Sequence, residues 1–220
     1  LFAERMKRRL GSAFDDFSAS LREEQPGAVR INPSKWKGEI KQERVPWSTM
    51  GYYLPERPSF TADPWFHGGA YYVQEPSSMF LEQIFRSVQI PEKAVVLDLC
   101  AAPGGKTTHL LSLLGPDDLL VSNEVIRSRI PVLQENVQKW GCPHVVVTQN
   151  DPVDFGQLPE LFDLIVVDAP CSGEGLFRKD RSAMAGWSPG NAGLCAARQK
   201  RIVSEAWKCL NPGGYLVYST

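Results

Sequence analysis

The chain has 220 residues, of which 43% are hydrophobic and 22% charged, and its 24 basic against 25 acidic side chains give a formal net charge of −1. This composition is typical of an ordinary globular protein with enough apolar mass for a sizeable core, which excludes a disordered or fibrous chain. The near-neutral net charge gives no sign of a nucleic-acid partner, so any basic surface must be local.

Other features of the whole chain narrow the class of protein further. No apolar run reaches the roughly 18 residues of a membrane-spanning helix, and the charged N-terminus does not resemble a signal peptide. We therefore expect a cytoplasmic, monomeric protein that does not bind membranes. Five unevenly spaced cysteines without a CxxC pair argue against a disulfide scaffold and against structural zinc. The three histidines lack ligand spacing, so we expect no metal.

The first third of the chain predicts a small α+β module. Residues 1–24 carry apolar side chains at spacings of three and four, which is typical of a helix, and Gly11 is expected to break it. Residues 28–35 alternate like a short strand. Residues 36–72 are rich in Trp, Tyr, Pro and Gly, which predicts short strands and loops, and residues 77–85 return to helical spacing.

From Ala94 onward, apolar strands alternate with helices. The predicted strands are 94–99, 119–124, 144–149, 163–170 and 215–220, and two of the predicted helices cover 129–141 and 196–210. Strands that are apolar on both faces and alternate with helices indicate a parallel sheet with right-handed crossovers. The sequence therefore predicts a doubly wound α/β domain over residues 76–220, preceded by the smaller module over residues 1–75.

The segment DLCAAPGGKTTHL, residues 98–110, links the first of these strands to a helix, where open parallel sheets bind ligands. A phosphate-binding P-loop would need glycine at the position of Cys100, and a GxGxxG motif fails because only Gly104 and Gly105 are present. Glu124 follows Gly104 at about the spacing, roughly 20 residues, at which an acid binds ribose hydroxyls. This favours a nucleoside without a phosphate chain, such as S-adenosylmethionine. The alternative is a turn that serves only strand–helix packing.

Several blocks together carry a family resemblance. They are DLCAAPGGKTTHLL (98–111), NEVIRSR (123–129), DAPCSGEGLFRKD (168–180) and PGGYLVYST (212–220), with VRINPSK (29–35) and FTADPWFHGGAYYVQEPSSM (60–79) in the N-terminal module. The chain resembles the RNA cytosine-C5 methyltransferases of the Nol1/Nop2/Sun family, and within it the bacterial ribosomal-RNA type, RsmB/RsmF-like. The resemblance covers nearly the whole chain, and its Pro-Cys-Ser-Gly block is the most specific part.

The resemblance implies a fold, a cofactor and a substrate. The fold is the Rossmann-like sheet of class I methyltransferases in the order 3-2-1-4-5, and the family's sixth and seventh strands do not fit before Thr220. The cofactor is S-adenosyl-L-methionine, and the substrate is cytosine C5 in RNA, with ribosomal RNA favoured by the N-terminal blocks. Residues 1–75 would form an RNA-binding-type module.

The resemblance also assigns roles to residues. The donor-binding loop comprises Cys100, Ala101, Ala102, Pro103, Gly104, Gly105 and Lys106. Glu124 would bind the donor ribose, Asp151 would lie near the adenine amine, and Arg129 would support the loop. Asp168 would lie between the donor and the base, and Lys106 would reach the target cytosine.

Two cysteines share the chemistry in this family. A thiolate that adds to C6 of cytosine turns C5 into a nucleophile, and the covalent adduct replaces one difficult step with several easier ones. By resemblance, Cys171 assists product release through proton removal, whereas the attacking cysteine belongs to a TC motif. That cysteine would follow Thr220, so the 220-residue chain alone is expected to be inactive.

Alternative interpretations remain open for several residues and for the whole chain. Cys142, Cys195 and Cys209 are predicted to be small core residues. Cys100 is predicted to pack beneath the loop, where its backbone rather than its sulfur matters. His109 is predicted to be a polar residue on a helix face. A different class of function is a noncatalytic RNA-binding or assembly module that retains the donor-binding fold.

Overall fold

The computed structural model describes residues 1–23, 26–56 and 58–220, apart from the side chain of Arg181. Two compact units share the chain. The larger comprises Pro26–Ala169 and Ile202–Ser219, and the smaller comprises Leu1–Gln25, Pro170–Arg201 and Thr220. The domain boundary expected after residue 75 stays a prediction.

The described residues form the following elements. The helices are α1 (Phe2–Leu10), α2 (Phe14–Ser20), α3 (Pro64–His67), α4 (Leu81–Ser87), α5 (Gly105–Leu111), α6 (Ile130–Trp140), α7 (Pro152–Phe155) and α8 (Pro189–Lys208). The strands are β1 (Gly27–Ile31), β2 (Gly51–Leu54), β3 (Tyr71–Val73), β4 (Val95–Asp98), β5 (Leu119–Asn123), β6 (Val145–Thr148), β7 (Phe162–Asp168) and β8 (Leu210–Ser219).

Strands β4 to β8 form one parallel sheet in the order β6-β5-β4-β7-β8. This confirms the predicted order 3-2-1-4-5 and the α/β class. The central strands are apolar because both faces are covered, and Leu164–Val167 in β7 are at most 1% exposed. One face packs against Leu110 of α5 and Trp140 of α6, and the other against Phe155 of α7 and Ile202 of α8.

Some boundaries differ from the sequence prediction. The N-terminal helix is interrupted at Gly11, as expected, by a 3-10 turn between α1 and α2. Helix α8 begins at Pro189, seven residues before the predicted start, since Ser188 Oγ accepts from the backbone N–H of Asn191 at 3.1 Å and caps the first turn. Residues 211–214, between the predicted helix and the predicted last strand, form a bulge within β8. Leu210 pairs with Phe162, and Tyr215 pairs with Leu164, only two residues further along β7.

An antiparallel sheet, β2-β1-β3, lies in the same unit as the parallel sheet. Asn32, at the end of β1, donates through Nδ2 to the carbonyls of Gly69 at 3.1 Å and Trp140 at 3.0 Å. A side chain at Gly69 would collide with the carbonyl of Lys139, since a Cβ there would lie 1.9 Å from that oxygen. These contacts fasten the small sheet to the C-terminal end of α6.

A buried carboxylate joins α4 to the loop before β2. Glu82 is 0% exposed and accepts from Ser48 Oγ at 2.7 Å, Thr49 Oγ1 at 2.7 Å and Arg86 Nη2 at 2.9 Å. His109, predicted to be a polar residue on a helix face, lies on α5 and is fully buried there, with Nε2 3.6 Å from Glu82 Oε2. Burial and the nearby Arg30 cation lower the pKa of His109 to about 4, so the ring is neutral at pH 7.

Replacing Glu82 with Gln is expected to destabilise the protein by about 2–4 kcal/mol, because an amide leaves buried hydroxyl and backbone donors without their anionic acceptor. Burial opposes ionisation of Glu82, but the contacts from His109, Thr49 and Ser48 outweigh it and hold its pKa below the usual 4.5. The unfolded chain therefore binds more protons in acid, so this contribution is complete above about pH 5 and declines as pH falls below it. Urea unfolding at pH 7 and at pH 4 measures both effects.

A matched control is Glu92→Gln, at an exposed position between α4 and β4. It is expected to change stability by less than about 0.5 kcal/mol, without altering the pH dependence. Equal losses in the two variants would show that Glu82 contributes no special stability.

The smaller unit is organised by aromatic packing. Phe2 of α1 contacts the rings of Phe177 and Trp187, with centroid distances of 4.7 Å and 5.4 Å. The indole Nε1 of Trp187 donates to Glu174 Oε1 at 2.7 Å, and Ser172 Oγ donates to Glu174 Oε2 at 2.6 Å. Glu174 therefore orders the loop that follows the Pro-Cys motif.

Candidate functional site

The loop after β4 has a shape that depends on glycine. Gly104 has φ +109°, a left-handed conformation that other residues rarely adopt, and a Cβ there would lie 3.3 Å from the Leu133 side chain of α6. Asn136 Nδ2 donates to the carbonyl of Pro103 at 2.8 Å, and Arg129 donates to that of Ala102. Helix α6 and its entry turn, which includes Arg129, therefore hold the loop, and the role predicted for Arg129 stays a prediction.

A cleft of about 220 Å³ opens beside this loop. Its lining consists of Tyr72, Val73, Gln74, Glu75, Ser78, Cys100, Ala101, Ala102, Pro103, Gly105, Lys106 and Asp168. A Cβ at Gly105 would lie 3.3 Å from Tyr72 Cε1 and 3.5 Å from Gln74 Nε2. The absence of a side chain at Gly105 therefore lets the donor loop lie close to these two residues. The cleft lies at the carboxyl ends of β4 and β7, where open parallel sheets bind ligands.

Glu124, directly after β5, presents an acceptor suited to hydroxyl groups. The side chain is 3% exposed, and its Oε1 accepts from the backbone N–H of Ile126 at 2.9 Å. Its Oε2 has no hydrogen-bond donor among the residues that the structure describes, although Arg129 Nη1 lies 3.2 Å away without the alignment of a hydrogen bond. A ribose diol would supply the missing donors, so this carboxylate fits the nucleoside part of S-adenosylmethionine.

Lys106 and Asp168 form an ion pair on the wall of the cleft. Lys106 Nζ lies 2.6 Å from Asp168 Oδ2, and Ser219 Oγ donates to Asp168 Oδ1 at 2.8 Å. The Lys106 side chain is 16% exposed and that of Asp168 is 42% exposed, so the carboxylate can still accept a hydrogen bond from a ligand. The predicted pair of substrate-facing residues is therefore brought together at the edge of the sheet.

Asp98, the last residue of β4, was missed by the sequence analysis. It is fully buried, Thr107 Oγ1 donates to its Oδ2 at 2.7 Å, and its Oδ1 has no hydrogen-bond partner among the described residues. Burial raises its pKa to about 7, against the hydrogen bond from Thr107 and the nearby Lys106 ammonium, which lower it. An acid that ends an apolar strand just before a ligand loop was the signal that could have identified it.

Asp151 caps a helix in this structure. Its Oδ1 accepts from the backbone N–H of Val153 at 3.0 Å, and Asp154 Oδ2 accepts from the Asp151 N–H at 3.0 Å, which together form a capping box at the start of α7. The predicted position of Asp151 near the adenine amine stays a prediction.

The cysteines occupy different environments. Cys195 and Cys209 are buried, which agrees with the prediction of core residues, whereas Cys142 and Cys100 are partly exposed. Burial, aided by nearby carboxylates such as Asp98, raises the pKa of Cys100 to about 12, so this thiol is not ionised near neutral pH.

Cys171 is exposed and belongs to the smaller unit. Within that unit, Gln199 Nε2 donates both to the carbonyl of Pro170 and to Thr220 Oγ1, each at 3.0 Å. Pro170, which precedes Cys171, and Thr220 are therefore both hydrogen-bonded to the Gln199 amide of α8.

The residues that the structure describes lack two further features. No helix among them is both long and apolar enough to cross a lipid bilayer. Within the same residues, no three His, Cys, Asp or Glu side chains group in a way that could hold a metal ion.

Known proteins are similar to this chain in sequence and in fold. The family model for 16S rRNA methyltransferase RsmB/F matches residues 87–220, and that for the N-terminal domain of 16S rRNA methyltransferase RsmF matches residues 1–76. Ribosomal RNA small subunit methyltransferase F of Aeromonas salmonicida is 38% identical over 229 residues, which cover 94% of this chain and 47% of the relative. The chain thus spans about half the length of the curated relatives it matches.

Solved structures show the same fold. A methyltransferase homolog protein from Pyrococcus horikoshii has a TM-score of 0.78 at 28% identity, with 94% of this chain and 68% of that one covered. NSun6 from the same organism, solved with SFG, has a TM-score of 0.83 at 20% identity, with 98% of this chain and 81% of that one covered. At this identity the match supports the fold alone. The chain belongs to the RsmB/F family of 16S rRNA methyltransferases, whose Rossmann-like fold uses S-adenosyl-L-methionine.

Proposed function

We propose that the protein containing this chain methylates C5 of cytosine in ribosomal RNA through a covalent cysteine–C6 adduct. The observation that carries the proposal is the Lys106–Asp168 ion pair, which lines the cleft beside the donor loop. Its carboxylate, Asp168, stands three residues before Cys171 in the sequence. A cytosine needs an acceptor for its N4 amino group and donors for N3 or O2. The carboxylate and the ammonium supply one of each.

Residues of the larger unit fit the methyl donor. Glu124 offers the ribose a buried oxygen that accepts no hydrogen bond from the described residues, and the backbone around Gly104 and Gly105 permits close approach. When bound, S-adenosyl-L-methionine supplies an electrophilic methyl group. The role of the protein is to hold C5 of the base in line with that group and to exclude water.

The chemistry at the base is nucleophilic catalysis. The attacking thiolate, which the resemblance assigns to the TC motif, forms a bond between sulfur and C6 and moves the C5–C6 electron pair to C5. C5 then takes the methyl group. Cys171, or a base that acts beside it, removes the C5 proton, and the returning electron pair breaks the C6–sulfur bond and releases the thiolate. Asp168 and Lys106 would orient the ring throughout.

The partner implied by this function is ribosomal RNA, and the expected site of action is the cytoplasm. The matches to relatives named as small-subunit ribosomal RNA methyltransferases support the first of these. The N-terminal module over residues 1–75 would contribute RNA contacts.

The proposal predicts one modified nucleoside. Small-subunit ribosomal RNA incubated with the full-length protein and labelled S-adenosylmethionine is expected to yield labelled 5-methylcytidine after digestion and mass spectrometry. Asp168→Ala is expected to reduce the rate by roughly 100-fold or more, because the base loses its acceptor and Lys106 its partner. Label in N4-methylcytidine, in a uridine derivative or in the ribose would contradict C5 chemistry.

A further inference from the structure

We propose that Gln74, oriented by the buried Arg30, binds the α-carboxylate of the methyl donor through its side-chain Nε2. The inference rests on the proposed function, since it requires S-adenosylmethionine in the cleft. Gln74 would be a binding residue, and Arg30 a positioning residue that acts through it.

Arg30 in β1 is held in one orientation. Its side chain is 0% exposed, and its guanidinium carbon lies 4.6 Å from the centre of the Trp140 ring. Its Nη2 donates to Thr108 Oγ1 at 2.6 Å and to the Gly105 carbonyl at 3.2 Å, and its Nε donates to Gln74 Oε1 at 2.7 Å. A buried charge with this many partners cannot rotate without losing several hydrogen bonds.

This contact decides which way the Gln74 amide faces. A guanidinium carries only hydrogen-bond donors, so the Gln74 atom that meets Arg30 must be the oxygen. The NH₂ group is therefore directed away from Arg30. It lies 3.5 Å from where a Cβ of Gly105 would be, on the wall of the cleft. Within the described chain, Gln74 Nε2 has no hydrogen-bond acceptor, although the side chain is only 7% exposed.

The position of the cleft favours the amino-acid end of the donor. Six of its lining residues belong to the donor loop, Cys100 to Lys106, whereas Glu124 and Asp151 do not line it. If Glu124 binds the ribose, the methionine moiety is the part of the same molecule that extends along the loop toward Gln74. A carboxylate matches the Gln74 amide, whose N–H groups no described acceptor occupies, and a hydrogen bond to a charged group is the stronger kind.

A comparison of two ligands distinguishes carboxylate binding by Gln74 from a general disruption of the site. S-Adenosylhomocysteine carries the α-carboxylate, whereas 5′-methylthioadenosine has the same nucleoside and sulfur without the amino-acid group. By isothermal titration, Gln74→Leu is expected to weaken S-adenosylhomocysteine binding roughly 10-fold or more and to leave 5′-methylthioadenosine unchanged. An equal loss for both ligands, or no loss for either, would overturn the inference.

A second variant tests the positioning role of Arg30. Arg30→Lys keeps the buried charge but loses the fork that fixes the amide, so it is expected to produce the same loss confined to S-adenosylhomocysteine. A thermal melt of each variant checks folding. Loss of both ligands in a folded Arg30→Lys protein would assign Arg30 a structural role only and contradict its part of the proposal.

The outcomes also separate the inference from the proposed function. If the unmodified protein binds neither ligand, the proposed function fails, and the inference fails with it. If it binds both ligands and Gln74→Leu behaves as the unmodified protein does, only the inference fails. A Gln74→Leu protein that binds S-adenosylhomocysteine normally but methylates RNA more slowly would assign Gln74 to the nucleobase and overturn the carboxylate assignment.

Discussion

Full-length protein carrying Cys171→Ser is expected to accumulate as a covalent complex with RNA. In the proposed chemistry Cys171 assists proton loss from C5, after which the C6–sulfur bond breaks. Serine has nearly the same size, but its hydroxyl is a far weaker acid and its oxygen does not substitute for the sulfur in this proton transfer. Attack and methyl transfer would still occur. The adduct would then persist.

Denaturing electrophoresis with labelled ribosomal RNA measures this outcome. The variant is expected to retain RNA through denaturation when S-adenosylmethionine is present, whereas the unmodified protein releases it. Cys142→Ser is the matched control, since that thiol is also partly accessible but lies after α6, away from the Pro-Cys motif. Loss of adducts in Cys171→Ser would instead make Cys171 the attacking residue and reverse the assigned roles.

The fold was predictable because its main determinants are local. Apolar strands alternating with helices can bury both faces only in a parallel sheet, and the observed order agrees with the one expected from the family resemblance. The ends of elements were less predictable. Helix α8 begins early because the Ser188 hydroxyl caps it, and residues 211–214 stay within β8 as a bulge opposite Asp163.

The site was predictable where a motif carries the chemistry. The sequence singled out the loop from Cys100 to Lys106 through the family resemblance and Glu124 through its spacing from Gly104, and their roles stay predictions. It did not single out Asp98, Gln74 or Arg30. Arg30 and Thr108 are 78 positions apart in the sequence, so no local sequence pattern predicts their contact. The role of a buried arginine in a short strand can be inferred only once the fold shows which residues it contacts. The burial of His109 was not predictable for the same reason, since it depends on distant residues.

Glu124→Ala is expected to weaken S-adenosylhomocysteine binding by about 100-fold or more, because two ribose hydroxyls would lose an anionic acceptor in a site with little water. Isothermal titration measures the change. The substitution also removes the partner of Arg129, which supports the loop through the Ala102 carbonyl, so an indirect effect on loop shape must be separated from a direct one.

A ligand without the ribose diol makes that separation. The 2′,3′-dideoxy analogue of S-adenosylhomocysteine cannot donate to Glu124, so it should bind the unmodified protein and Glu124→Ala with similar, weak affinity. A disturbed loop would instead lower the affinity of the analogue as well. Because Glu124 Oε2 is buried without a donor among the described residues, the unmodified protein bears a desolvation cost that the diol relieves. Glu124→Ala removes that cost together with the Arg129 ion pair and the Ile126 hydrogen bond, so it should lower the melting temperature less without ligand than with it. A thermal melt in both states measures this difference, and equal losses in the two states would contradict a direct ribose contact.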